Sequence, residues 1–227
     1  MNDKVNKAIV EVLPVSPFVM NCIVLGCRAS GKAAVIDPGD ESQRIVRAVE
    51  LAGLEVTHIL LTHAHIDHVG SAGEVKEATG APVYLHREDL PLYGHVAQQA
   101  RAFGMNADMT MPDIDVFVND GDSVQVGELH LRVLHAPGHS PGSICFYLKG
   151  EQGSPGMVFS GDVLFAGSIG RTDLWGGSYE TLMRSIGEKL MTLPDDTVVY
   201  SGHGPSTTVG KERANNPFSR DFVQTTL

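Results

Sequence analysis

Cysteine is scarce: the 227-residue chain has three, Cys22, Cys27 and Cys145, each inside an apolar, strand-like run. An odd number without framework spacing excludes a disulfide scaffold, and reduced, buried thiols are expected. Cys22 and Cys27 lie five apart, which sets them on opposite faces of one strand. Long hydrophobic runs are also missing. No stretch approaches the roughly 20 apolar residues of a spanning helix, so no membrane association is expected. The opening MNDKVNKAIVEVLPV carries basic residues, but Glu11 and Pro14 interrupt its apolar stretch before a signal core forms, and the expected location is cytoplasmic. Positive charge is in deficit, with 17 Lys and Arg against 27 Asp and Glu for a net charge of −10. Without a basic cluster, nucleic acid is excluded as a partner. Part of the acidity is expected at a metal site, where bound cations offset it. A Gly-Xaa-Ser-Xaa-Gly elbow and a Gly-rich loop ending in Gly-Lys-Ser/Thr are both lacking, which leaves serine hydrolase and nucleotide hydrolase readings without a motif.

What remains is an ordinary globular composition, 42% hydrophobic and 19% charged, in a length that one α/β domain spanning 1–227 accommodates. Segments 8–13, 21–27, 33–40 and 56–61 read as short strands separated by turns, with a helix over SQRIVRAVELAG for which Ser42 is the expected N-cap. A short helix after Val69 and a strand over APVYLH follow. From Arg87 to about Val118 the periodicity disappears amid Met105, Met109, Met111 and two prolines, which suggests a lid or binding loop with some helix of its own. Strands then resume over 129–140, 143–148 and 156–165. YETLMRSIGEKLMTL follows as a helix capped by Ser178 with Leu182, Ile186 and Leu190 on one stripe, and TVVYSGHGP as a last strand. Two similar blocks of strands and helices predict an α/β sandwich with internal pseudo-symmetry.

The segment THAHIDHVG places three histidines and an aspartate in six positions, His63 to His68, where an apolar core has no use for them. His139, Asp162 and His203 stand singly after three later strands, each beside a glycine-containing turn. Strand-end loops are where α/β folds collect functional side chains. In extended backbone His63 and His65 point to one side and can share an ion, whereas Asp67 and His68 are better placed for a second. Seven nitrogen and oxygen donors exceed one tetrahedral site. Two divalent transition metals with one bridging carboxylate are therefore expected, zinc foremost, with iron or manganese compatible. His58, His86, His95 and His130 read as structural or exposed residues. His135 reads as structural or exposed too, although it lies close enough to His139 in sequence to be a candidate for supporting that ligand.

These motifs, THAHIDH with APGHS, SGDVLF and SGHG, resemble the metallo-β-lactamase fold superfamily over nearly the whole chain. The resemblance implies a four-layer αββα sandwich, a first metal on His63, His65 and His139, a second on Asp67, His68 and His203, and Asp162 as bridge. It also implies that Asp37 lies behind the ligands and steadies the His63 loop. Asp162 stands where drug-hydrolysing members commonly carry cysteine, as it does in glyoxalase II (hydroxyacylglutathione hydrolase). GDVLFAGSIGRTDLWGGS is similar to a short glyoxalase II form without the C-terminal helical domain, and also to persulfide dioxygenases.

The implied reaction is hydrolysis of a small-molecule acyl thioester, S-lactoylglutathione first, by a metal-bridging hydroxide that Asp67 orients or deprotonates. Arg171 is a candidate for binding a substrate carboxylate, with an ion pair to Asp173 as its structural alternative. A rival reading is a persulfide dioxygenase using His63, His139 and Asp162 as the facial triad of a non-haem iron. A third is a metal-binding interaction module without catalysis.

Overall fold

The computed structural model describes residues 7–104, 107, 109, 111–151 and 153–223. Its first sheet begins as a meander of β1 (Ala8–Val15), β2 (Met20–Cys27) and β3 (Lys32–Ile36), antiparallel in sequence order. It continues in parallel through β4 (Glu55–Leu60), β5 (Val83–His86) and β6 (Val116–Val118). Crossover helices α1 (Ser42–Leu51), α2 (Ile66–Val69) and α3 (Ala72–Thr79), then α4 (Leu90–Tyr93) and α5 (Val96–Ala102), make those parallel steps possible. The second sheet contains β7 (Ser123–Val126), β8 (Leu129–His135), β9 (Ile144–Leu148) and β10 (Met157–Gly161), followed by β13 (Val198–Ser201) and β14 (Thr207–Thr208). Its order is β14-β13-β10-β9-β8-β7, antiparallel except for the β10–β13 pair. Between β10 and β13 run the small hairpin β11 (Leu164–Phe165) with β12 (Ser168–Ile169) and the helix α6 (Tyr179–Ser185). Helices α7 (Val209–Asn215) and α8 (Ser219–Val223) follow β14.

Three separate apolar clusters define the layers. One lies between the first sheet and its helices and includes Val24, Val35, Ile45 and Leu85. A second, with Leu25, Ile36, Phe146 and Phe159, fills the space between the sheets. The third joins the second sheet to α6 and α8 through Val158, Leu182, Ile186 and Phe222. This is the four-layer αββα sandwich. Strand β2 shows why its sequence reads as an unbroken apolar run: Cys22 and Val24 face the helices while Ile23, Leu25 and Cys27 face the other sheet, so both faces are covered. All three cysteines are buried and unpaired.

Several local expectations need correction. Ser42 is the first helical residue of α1, not its cap. Glu41 takes the cap position in a left-handed conformation (φ 55°), and the Ser42 hydroxyl turns to Glu74 of α3. Ser178 does cap α6, accepting the Thr181 amide at 3.3 Å, but the helix widens into a π turn over Ile186–Leu190. Within 87–118 the expected helix is present as α4 and α5, Gln99 and Phe103 line the cavity over the candidate ligands, and the short strand β6 closes the segment. Met109 and Met111 pack against the helix-side core, and Met105 lies outside the described residues.

The sheets are joined at one end. The Asn21 amide donates to Gly202 O at 2.7 Å, and its side-chain amide donates to Ser201 O and Gly204 O at 3.0 and 2.9 Å. On the other side of the sandwich mouth, the Ile144 amide donates to Thr62 O at 2.9 Å. The Gly202 amide donates to Gly161 O at 2.8 Å, tying the loop after β13 to the end of β10, so that strand-end loops of both sheets are held together. No helix among the described residues is long and apolar enough to cross a membrane.

Candidate metal centre

The chain leaves β4 extended through His65 and then coils into the single turn α2, which carries Asp67 and His68. Asp37, just after β3, holds this loop from behind. One of its oxygens accepts the Thr62 amide at 2.7 Å. The other accepts the Thr62 hydroxyl at 2.6 Å and lies 2.9 Å from His68 Nδ1. His68 thus presents Nε2 to the front, with Nδ1 committed to the carboxylate. His139 is oriented in the same way, its Nδ1–H donating to the Arg171 carbonyl at 2.7 Å.

A second brace went unseen in the sequence. Asp89, fully buried, accepts the Ala64 amide at 2.8 Å and the Ser140 hydroxyl at 2.9 Å on one oxygen, and the Gly142 amide at 2.6 Å on the other. It therefore ties the loop of His63 and His65 to the loop of His139. Gln99 of α5 adds to it, donating to Ala64 O at 3.1 Å and accepting the Ile66 amide at 3.0 Å. Asp89 follows β5 at the same end of the sheet as the other functional residues, and that position is the signal by which it was findable.

The seven candidate ligands converge. His139 Nε2 lies 2.9 Å from His65 Nδ1 and 3.2 Å from His63 Nε2. That spacing is close to the roughly 3.3 Å between donors on a tetrahedral ion with metal–nitrogen bonds of about 2.0 Å. On the other side, Asp67 Oδ2 lies 3.2 Å from His203 Nε2 and 3.8 Å from His68 Nε2. Asp162 sits between the two groups, 3.4 Å from His68, 3.7 Å from His139 and 3.7 Å from His203. The close approach of Asp162 and His68 to the β13 loop requires Gly202, where a β-carbon would come within 2.3 Å of the Asp162 carboxylate.

Two polar atoms in this cluster, His68 Nε2 and Asp162 Oδ1, are buried without a hydrogen-bond partner. Protein interiors seldom leave such atoms unpaired. With a donor set of imidazole nitrogens and carboxylate oxygens, they fit two divalent transition metals.

The electrostatics agree. Burial, reinforced by the neighbouring imidazoles, pushes His63 far below the usual histidine range, and burial then His139 bring His65 down to about 3. Both are neutral at physiological pH, as a ligand must be. Burial opposes ionisation of Asp67, Asp162 and His68, but the attraction of each carboxylate for His68 overrides it, against the repulsion between the two carboxylates. Both carboxyls fall below the ordinary carboxylate range, and His68 rises with support from Asp37.

His135 is not part of this group. Its ring stacks on His86 at 4.0 Å, and its Nε2 donates to Pro141 O at 2.9 Å, because the last residue of β8 points to the far side of the Ala136–Pro141 turn. His58 packs beside Tyr84 in the sheet.

A cavity of about 360 Å³ opens over the cluster. Its floor is made by candidate ligands and its walls by Phe18, Ile66, Phe103, Phe165, Ile169 and Leu174. Arg171 also lines it, with its guanidinium bonded through two nitrogens to Asp173, both at 2.7 Å.

The family model described as Metallo-beta-lactamase superfamily matches residues 15–203. The chain belongs to the metallo-beta-lactamase superfamily. It is similar to the protein named probable metallo-hydrolase YqgX of Bacillus subtilis, at 41% identity over 92% of this chain and 97% of the relative. Hydroxyacylglutathione hydrolase GloC of Haemophilus influenzae is 40% identical over 92% and 97%. Among solved structures, BLEG-1, a B3 metallo-beta-lactamase, superposes with a TM-score of 0.81 at 38% identity, covering 93% of this chain and 99% of that one. TTHA1623 in a di-iron-bound form also scores 0.81, at 41% identity and 92% and 100% coverage. ETHE1 from Myxococcus xanthus scores 0.77 at 30% identity, covering 95% and 88%. As a member of this superfamily the chain is a metallo-hydrolase, and the reading as a non-catalytic module is set aside.

Proposed function

We propose that the protein hydrolyses acyl thioesters, S-lactoylglutathione among them, at a two-metal centre. His63, His65 and His139 hold one ion, Asp67, His68 and His203 the other, and Asp162 both. The observation that carries this reading is the convergence of those donors around His68 Nε2 and Asp162 Oδ1, which lie buried 3.4 Å apart without a hydrogen bond. Bound divalent ions would supply a water with its pKa lowered from 15.7 to about 7 and a Lewis acid for the thioester carbonyl.

The protein's own residues do the rest. Asp67, kept ionised and next to His203, orients the attacking water and takes up its proton. Asp37 and the Arg171 carbonyl fix the ring tautomers of His68 and His139, so that the ligand nitrogens do not rotate away. The apolar walls exclude bulk water from the reacting carbonyl. In the balanced reaction a carbon–oxygen bond forms, the carbon–sulfur bond breaks, and the thiolate leaves to collect a proton, yielding lactate and glutathione from S-lactoylglutathione. The likeness to GloC supports a small glutathione thioester as substrate.

A second reading rests on the likeness to ETHE1. His63, His139 and Asp162 alone make the two-histidine, one-carboxylate set of non-haem iron oxygenases. The test is an anaerobic assay of thiol release from S-lactoylglutathione, run beside oxygen uptake with glutathione persulfide and turnover of a chromogenic β-lactam. Thioester cleavage without oxygen is the expected result. Oxygen uptake or β-lactam cleavage in its absence would overturn the proposal.

A further inference from the structure

Glutathione is recognisable by its charges: two carboxylates and an ammonium group. A site built to select it presents opposed charges free to pair with them. The cavity over the metal centre is built otherwise. Phe18 and Phe103 meet edge to face at 5.5 Å, and Ile66, Phe165, Ile169 and Leu174 complete apolar walls around the polar floor. Arg171 is the one lysine or arginine among the lining residues. Asp173 already takes its fork bidentately, and that fork lowers the Asp173 carboxyl to about 2. Both side chains are more than half exposed. A substrate carboxylate bound at Arg171 would displace Asp173, exchanging one exposed ion pair for another of similar worth while Asp173 repels it. Little net affinity is left for a charged thiol.

From this we infer that the site selects its thioester by the apolar surface flanking the carbonyl and sulfur, and not by the charges of glutathione. Glutathione thioesters are accepted as one member of a class whose thiol portion can be uncharged. The inference rests on the thioesterase reading above and narrows its substrate class.

The test compares kcat/KM of the metal-loaded protein for S-lactoylglutathione and for the lactoyl thioester of N-acetylcysteamine, an uncharged thiol. The two values are expected to agree within about fivefold. Lengthening the acyl chain by one methylene on the same uncharged thiol should raise kcat/KM about threefold, the worth of one buried methylene. Asp173→Asn releases the Arg171 fork and should raise kcat/KM for the glutathione ester about three- to tenfold, while leaving the uncharged ester unmoved. In inhibition assays S-hexylglutathione should bind at least about tenfold more tightly than glutathione itself. A preference for the glutathione ester above about fiftyfold, lost on Arg171→Ala, would overturn the inference while leaving the thioesterase reading intact. If neither ester is cleaved, the thioesterase reading fails and this inference fails with it.

Discussion

Asp89 accepts the backbone amide of Ala64, the one residue that separates His63 from His65, at 2.8 Å. Because the same carboxylate also holds Ser140 and Gly142, beside His139, it sets the distance between the two loops that carry the candidate ligands His63, His65 and His139. Asp89→Ala would leave the Ala64 and Gly142 amides buried without that acceptor, while the Ser140 hydroxyl keeps Ser143 Oγ at 2.7 Å. The expected cost is about 2–4 kcal/mol of unfolding free energy in urea titrations of the metal-stripped protein. One of the two metal equivalents should also weaken by about 10–100-fold in chelator competition. Asp89→Asn, which keeps the shape and one acceptor, should recover part of both. Wild-type stability and metal affinity in the alanine variant would contradict the bracing role.

What could be read in advance depended on whether a residue's job leaves a pattern. The strands of the two sheets were legible because burial on both faces makes runs such as MNCIVLGC conspicuous, and the cluster of candidate metal donors because imidazoles gathered at strand ends serve no core. Asp89 and Gln99 bond to backbone groups far away in sequence, which no local spacing encodes. They also lie in a segment where α4 and α5 are too short, at four and seven residues, to establish a period. His135 takes the structural place its type suggested, stacked on His86, and its nearness to His139 in sequence does not become contact in space. The strands β6, β11 and β12 have three, two and two residues, below the length at which alternation is readable.

Among the described residues Asp162 is the one carboxylate within 4 Å of imidazoles from both candidate triads, counting His68 and His203 on one side and His139 on the other. On the proposed two-metal reading its removal costs each ion a ligand. Asp162→Ala is expected to lower bound metal from about two per chain to one or fewer, and kcat/KM by about a thousandfold or more. Mass spectrometry under native conditions reads the stoichiometry separately from the rate. Full occupancy in the variant would exclude a bridging role.

Cys145 tests the opposite expectation. It is buried in the layer between the second sheet and α6, its thiol contacts only the Ser160 carbonyl at 3.7 Å among hydrogen-bond acceptors, and burial pushes its pKa well up. A thiol so placed is packing, not a nucleophile. Cys145→Ser should cost about 1 kcal/mol of stability and leave kcat/KM within about threefold. A large kinetic loss in a folded, metal-loaded variant would place a thiol in the chemistry.

Protonation links the centre to stability, and the sign follows from which histidines shift which way. His63 and His65 are depressed in the folded state, His65 to about 3, chiefly by burial. As pH falls from about 6.5, the unfolded chain takes up protons that the folded chain refuses, so stability drops by up to about 1.4 kcal/mol per pH unit for each, until the folded values are reached. His68 and His203 are raised despite burial, by Asp162 and Asp67. Their contribution is complete below about pH 6.5 and is lost as pH rises through the folded values. The metal-stripped protein should therefore show a dome of stability with its maximum near pH 6.5. Bound metal would keep its ligand imidazoles, on the proposed reading His68 and His203 among them, from taking up a proton, which removes the alkaline limb and steepens the acid one as ligands protonate and release the ions. Urea midpoints measured from pH 4 to 9, with and without metal, decide the matter. A stripped protein whose stability climbs steadily to pH 9 would show that His68 and His203 carry no extra proton in the folded state.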